Sequence, residues 1–388
     1  MLSLGAGAQR VEFEFKGSDG KQLRYAIIGD LSKATSALLI WHKKRYGKPY
    51  EYEHVSIPEK VTYKGKEYKV GGIDGAFYNS EKLKTIDIPP TIGYISNDAF
   101  QGCYQLEKVN ISDIEAWCKI NFSANTPINQ LCAHLYLNNE LVTHITIPNT
   151  IDKIKSHTFD WCKSLESVII PSSVKEIGNY AFQRCPKLKS VKIIGNNLNS
   201  IGENAFSSCS SLVELELPNS VKTIGEFAFS SCKSLSKISI PTAITTIPQY
   251  AFFHSQSLKT IVLPESVTSI KSKAFEGCEG LREVVIKNPA IQIEDYAFGS
   301  CTSLTKIKGL SERSRISAKA FMVDGYNGDY NKTPFSIEQY KRTFSYFATG
   351  KVEDAIAQWQ KKSEFETAEE WKQRVTAANR EKEVKNQP

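Results

Sequence analysis

The chain has 388 residues, 41% hydrophobic and 23% charged, with a formal net charge of +7. Those proportions belong to a globular protein able to bury a large core, and no run of about eighteen apolar residues offers a membrane span. The charge is modest and dispersed. Its densest cluster, His42-Lys43-Lys44-Arg45, reads as a solvated strand or loop rather than a nucleic-acid interface.

In chain order, the small residues Ala6-Gly7-Ala8 before Gln9 look like the end of a secretory signal, although the charged and apolar regions that precede such a site are missing. Residues 1–8 are therefore read as a signal-peptide remnant, and the protein as secreted or surface-exposed. Residues 9–54 read as an N-terminal β cap. "RVEFEFKGSDGKQLRYAII" alternates about a Gly-Ser-Asp-Gly turn, the mark of a hairpin, and "ALLIW" and "YEYEHV" continue as strands.

From residue 55 to 327 the chain repeats itself. Phe77, Phe100, Phe159, Phe182, Phe206, Phe229, Phe252, Phe275, Phe298 and Phe321 are separated by 23 residues, save one gap of 24 and one of 59. A Leu follows each of the first nine Phe by six residues, and a Cys follows most of them by three. Alternating β-formers come next, as in Ile238-Ser239-Ile240, often closed by a proline such as Pro241. Ile precedes most of the Phe by five residues, as at Ile224 and Ile247. Each unit thus predicts a short strand, a proline stop, a turn and one tight helical turn of 3₁₀ type. One unit cannot bury its own apolar face, so units must stack as a solenoid.

Stacking accounts for the cysteines. Nine are present, with no Cys-x-x-Cys pair and no zinc spacing. Cys103, Cys162, Cys185, Cys209, Cys232, Cys278 and Cys301 recur at one repeat position, where Ser80 and Ser255 also stand. A small buried side chain fits that pattern, with disulfides between adjacent rungs as the rival reading.

Units such as "LPNSVKTIGEFAFSSCKSLSKISIP" (217–241) resemble the Treponema pallidum-type leucine-rich repeats of BspA-like bacterial surface proteins. The resemblance covers about residues 55–321 and implies a right-handed α/β leucine-rich-repeat stack with short parallel strands. It also implies a secreted or surface protein, of the kind made by Bacteroidetes-group bacteria, that adheres to host proteins or other cells. It brings no catalytic residues. The unit at about 109–148 departs from the pattern. It keeps Val109/Ile111 and Ile145/Ile147, adds Leu135/Leu137 and an Asn138-Asn139 hairpin, and has a degenerate helical part with Trp117, Cys118 and Cys132. It is read as an enlarged turn or a ligand-contacting protrusion.

Residues 328–334 read as a linker. Residues 335–388, with Trp359, Trp371 and a capping box at Thr367-Glu370, read as a C-terminal helical appendage.

No phosphate-binding loop, nucleophile elbow or zinc-protease motif is present, and the six histidines fall at unlike positions against the Phe ruler. No catalytic residue, metal ligand or cofactor is assigned. Recognition is expected on outward strand positions, among them Ile169, Lys192, Glu216, Ser239, Val262 and Val285 on one continuous sheet face. A second row, Tyr180, Phe227, Tyr250 and Tyr296, lies two residues before the repeat Phe and either packs over the turn or forms an exposed ladder. The expected partner is a protein, such as host matrix or another cell surface, without nucleic acid or a membrane span. A carbohydrate- or cell-wall-binding module and an element assembling through the helical tail are the alternatives.

Overall fold

The computed structural model describes residues 10–28, 38–41, 49–123, 133–311 and 313–322. The basic cluster at 42–45, Cys132, the 328–334 linker and the 335–388 segment lie outside the described residues, as do residues 1–8.

A regular coil contains two short strands and two turns. The front strands, such as Ser167–Ile170, Thr260–Leu263 and Glu283–Ile286, alternate buried and outward residues, because successive side chains of a strand point to opposite faces. A proline carbonyl then closes the first turn, accepting the amide three residues on: Val174 N to Pro171 O, Val221 N to Pro218 O, Val267 N to Pro264 O, each 3.1 Å. Two-residue rear strands follow, such as Glu176–Ile177 and Thr246–Ile247, each burying its Ile. Like strands of successive coils pair in parallel and in register, Val168 with Val191 and Val284 with Ile307. At the N-terminal end, Arg10–Lys16 and Gln22–Ile28 form the expected hairpin. The second of these pairs with Leu38–Trp41, which joins the rear strands through Lys66–Asp74.

The turn that carries Phe is not helical. Among the described residues the one α-helix is Ile114–Lys119, so the solenoid is a parallel β-solenoid and the α/β expectation is corrected. The reason lies in the backbone. The residues two before and two after Phe182 are Tyr180 and Arg184, with φ of 60° and 55°, and the same pair of left-handed residues flanks Phe206, Phe229, Phe252, Phe275 and Phe298. A right-handed helical turn cannot propagate through them. The alternation instead aims every second amide at the next coil. Tyr180, Phe182 and Arg184 donate to the carbonyls of Glu203, Ala205 and Ser207 at 2.7–2.8 Å. Non-glycine residues in this region cost about 1 kcal/mol or more each, offset here by an inter-coil hydrogen-bond ladder that satisfies the buried backbone.

The Phe rings form the predicted column. From Phe159 to Phe321 each ring stacks on the next at centroid separations of 5.1–5.8 Å and interplanar angles of 3–17°. Phe, Leu and Cys of each interior coil are fully buried. The eight described cysteines are free thiols. They do more than fill space, because each regular rung donates to the Phe carbonyl one coil earlier. Cys209 Sγ lies 3.1 Å from Phe182 O, Cys232 Sγ 3.1 Å from Phe206 O and Cys301 Sγ 3.1 Å from Phe275 O. Ser255 Oγ makes the same bond to Phe229 O at 2.8 Å. The position therefore selects a small buried side chain, as expected, and in addition one that can donate a hydrogen bond.

In the enlarged unit the helix Ile114–Lys119, capped by Asp113, buries Trp117 and Cys118. The indole Nε1 of Trp117 donates to Thr158 O at 2.9 Å, tying this unit to the next Phe turn. Asn138 and Asn139, with φ of 51° and 68°, turn His134–Leu137 back into antiparallel Glu140–Leu141, as the hairpin signal required.

Candidate functional site

Two rows of side chains were expected to carry recognition, and both can be placed. Thr146, Ile169 and Lys192 are register neighbours on the front strands, as are Val262, Val285 and Lys308. Glu216 and Ser239 stand one residue beyond the strands Glu214–Leu215 and Lys237–Ile238, both exposed. Ile169 is 39% exposed and Val262 45%, whereas Val285 is half-buried.

Strand pairing along this face is interrupted rather than continuous. Pairing stops after Ser190–Ile193 and again between Lys237–Ile238 and Thr260–Leu263. The first break follows the one regular unit that is a residue longer, whose extra length turns at Gly195 (φ 78°). Near the second, Ser239 Oγ accepts the amide of Leu217 at 3.3 Å. At the other end the Asn138-Asn139 hairpin separates His134–Leu137 from His144–Thr146.

The second row is half-buried and stacked on itself. His157 lies on Tyr180 at 4.8 Å and Phe227 on Tyr250 at 4.4 Å, with interplanar angles of 2° and 11°. The Lys273 ammonium sits 5.7 Å over Tyr250 and 5.6 Å over Tyr296. Tyr180 Oη donates to Glu203 Oε1 at 2.7 Å, and that bond pushes the phenol's pKa up. Ring neighbours thus take one face each of Tyr180, Phe227 and Tyr250, and a lysine lies over Tyr250 and Tyr296. A pyranose stacks on a ring face, so the row gives little support to a stacking platform for sugar.

Sequence reasoning overlooked two features of the front face. His54, His134 and His144 are all first residues of front strands. They look unlike only when measured from Phe, a ruler that fails beside the capping hairpins and the enlarged unit. His54 Nδ1 contacts Thr85 Oγ1 at 2.5 Å, and His144 Nδ1 contacts Ser167 Oγ at 2.7 Å. The first of these begins a polar chain. His54 Nε2 lies 3.4 Å from Asp87 Oδ2, Asn110 Nδ2 donates to Asp87 Oδ1 at 3.0 Å, and Asn139 N donates to Asn110 Oδ1 at 2.8 Å. Tyr136 occupies the outward position between Leu135 and Leu137, with Lys108 Nζ 4.7 Å from its ring centroid.

The other overlooked feature is basic. Lys308 Nζ lies 2.7 Å and Lys306 Nζ 3.8 Å from Glu283 Oε1, and the bond from Lys308 holds the Glu283 carboxyl below the usual carboxylate range. Beside this front face runs a groove of about 400 Å³ lined by Val213, Ser234, Ser236, Ser257, Lys259 and Arg282, among others. No sequence motif announces it, because its walls come from separate coils.

Seven of the described thiols are poor nucleophiles. Burial pushes Cys103, Cys118, Cys162 and Cys278 up to about 12, and Cys185, Cys232 and Cys301 well above the usual range. Among the described residues no group of three or more His, Cys, Asp or Glu is placed to hold a metal ion, and no helix is long and apolar enough to cross a membrane.

The family described as BspA type Leucine rich repeat region (6 copies) matches residues 51–138, 129–259 and 199–327. Among solved structures, a leucine-rich repeat protein from Bacteroides ovatus ATCC 8483 is 26% identical, with 75% of this chain and 76% of that chain covered and a TM-score of 0.52. A leucine rich cell surface protein from Faecalibacterium prausnitzii A2-165 is 23% identical over 76% of this chain and 94% of its own, with a TM-score of 0.37. The T. pallidum leucine rich repeat protein is 27% identical over 52% of this chain and 83% of its own, with a TM-score of 0.37. No curated protein matches the chain.

Proposed function

The chain belongs to the BspA-type leucine-rich-repeat family, and on that footing we propose that it is an exported, non-catalytic scaffold that binds a protein partner through the outward face of its front strands. One observation carries this reading. Val262 and Val285 are register partners on adjacent coils, pointing outward at a position that is polar on most other front strands, Ile169 excepted, and Val262 is 45% exposed. Apolar surface of that kind, ringed by charge, is the ordinary chemistry of a protein-binding patch. Ile169 with Lys192, and Glu216 with Ser239, extend the proposed surface toward the N-terminal coils.

Export is supported by the Ala6-Gly7-Ala8 stretch and by the family resemblance. A saccharide ligand finds less support, since rings of the aromatic row already stack on one another or carry a lysine.

The test is Val262→Glu with Val285→Glu in the full chain. Both substitutions point outward, so folding and thermal stability are expected to change little. Binding to immobilised host matrix proteins and to bacterial cells is measured by surface plasmon resonance and cell adhesion. Loss of binding by the double variant supports the reading, and unchanged binding with folding intact refutes it.

A further inference from the structure

The partner's chemistry can be read from the charges around Val262 and Val285. Four successive front strands, Lys237–Ile238, Thr260–Leu263, Glu283–Ile286 and Lys306–Lys308, carry exposed Lys237, Lys306 and Lys308. Lys259 and Arg282 stand immediately before the middle two strands, also exposed, and line the groove. Against these five cations the same strands bring one carboxylate, Glu283, which Lys306 and Lys308 share. Lys237, Lys259 and Arg282 form no ion pair among the described residues. Glu214 and Glu216 on the preceding coil bound the patch, and Glu279, held by Gln256 Nε2 at 3.3 Å, flanks the groove.

Resting on the sheet-face reading above, we infer that the face from Lys237 to Lys308, with its groove, receives an extended acidic segment of the protein partner. Carboxylates of that segment lie on Lys237, Lys259 and Arg282, and an aliphatic side chain covers Val262 and Val285. Coils lie about 4.8 Å apart, so three steps from Lys237 to Lys306 span about 14 Å, the reach of about five extended residues. Arg282 offers a planar fork for a carboxylate and Lys259 a point charge beside it. The serine hydroxyls of the groove, Ser234 and Ser257, add neutral donors, while Ser236 Oγ donates to Val213 O at 3.2 Å. A polyanion without apolar groups fits worse. It would leave Val262, and Val213 at 48% exposed, in water while pairing the cations.

The probe is a fluorescein-labelled peptide of about eight residues, long enough to cross the patch, alternating Glu and Leu. Fluorescence anisotropy measures its affinity for the full chain, beside a Lys/Leu counterpart and heparin. The acidic peptide should bind at least about tenfold more tightly than the basic one and weaken as salt rises. Lys259→Glu with Arg282→Glu should lose about tenfold or more, roughly 1.4 kcal/mol. Lys175→Glu with Lys222→Glu, an equal charge change beside the rear strands, should lose little. Equal losses in both pairs, or heparin binding that displaces the peptide and ignores Val262→Glu with Val285→Glu, would overturn the inference. If Val262→Glu with Val285→Glu abolishes adhesion while Lys259→Glu with Arg282→Glu preserves it, the acidic segment is wrong and the sheet-face reading stands. If neither pair alters adhesion, both fail.

Discussion

The thiol of Cys232 donates to the carbonyl of Phe206, 26 positions earlier in the chain, at 3.1 Å. That carbonyl also accepts the amide of Cys209 at 3.2 Å, so the thiol satisfies its second lone pair inside a fully buried coil. Cys232→Ser keeps a donor and should cost under about 1 kcal/mol. Cys232→Ala removes the donor and leaves a void, and should cost about 1–3 kcal/mol. Urea unfolding of the two variants checks the order, and an alanine variant as stable as the serine one would show the bond to be idle.

Phe229 stacks on Phe206 at 5.8 Å and on Phe252 at 5.5 Å, with no exposed surface. Phe229→Ala should cost about 3–5 kcal/mol, because neighbouring coils are held in register by backbone bonds and cannot collapse into the gap. Phe229→Leu should cost visibly less. Thermal and urea unfolding measure both, and a loss below about 1 kcal/mol for alanine would mean that the ring column carries little of the core.

Different parts of this architecture reached the sequence to different degrees. The ring column was legible because a buried Phe must recur once per coil, and nothing else at that position fills the space between two neighbours. Outward positions such as Val262 were legible from strand alternation. The left-handed residues were not. Tyr180, Phe227 and Lys273 have no side-chain reason to adopt positive φ, and only the ladder to the following coil demands it. The thiol bond left a trace in the exchange of Cys for Ser, but size explains that exchange equally well until the carbonyl partner is seen. The groove beside Lys259 and Arg282 joins residues one repeat apart, and a reading made unit by unit does not bring them together.

Thiol burial makes stability depend on alkaline pH. Cys103, Cys118, Cys162 and Cys278 are pushed up to about 12, while an unfolded thiol ionises near about 8.5. The folded state therefore holds protons that the unfolded chain releases. Stability should be level below about pH 8.5 and fall from there toward pH 12, at up to about 1.4 kcal/mol per unit for each thiol. Urea midpoints across pH 7–10.5 test the trend, and replacing several rungs with serine should flatten it. In a Cys132→Ser background, Ellman's reagent at pH 8 should leave the folded protein unlabelled. Prompt labelling of a rung would contradict the buried ladder.

Trp117 stands in the enlarged unit, where no repeat Phe falls, and its Nε1 reaches Thr158 O at 2.9 Å with both residues buried. Its ring also packs against Phe122 at 5.0 Å. Trp117→Phe preserves most of the apolar contact but strips the donor from a carbonyl that water does not reach. It should cost about 1–3 kcal/mol. Trp117→Ala adds the loss of the ring and should cost about 3–5 kcal/mol. Urea unfolding measures the totals, and amide exchange around residues 155–162 locates them. Protection at the Phe159 turn should fall in both variants while the coils around Phe275 keep theirs, since a stack transmits a defect chiefly to its neighbours. An unchanged Phe159 turn would mean that the enlarged unit is tolerated beside the column without being fastened to it.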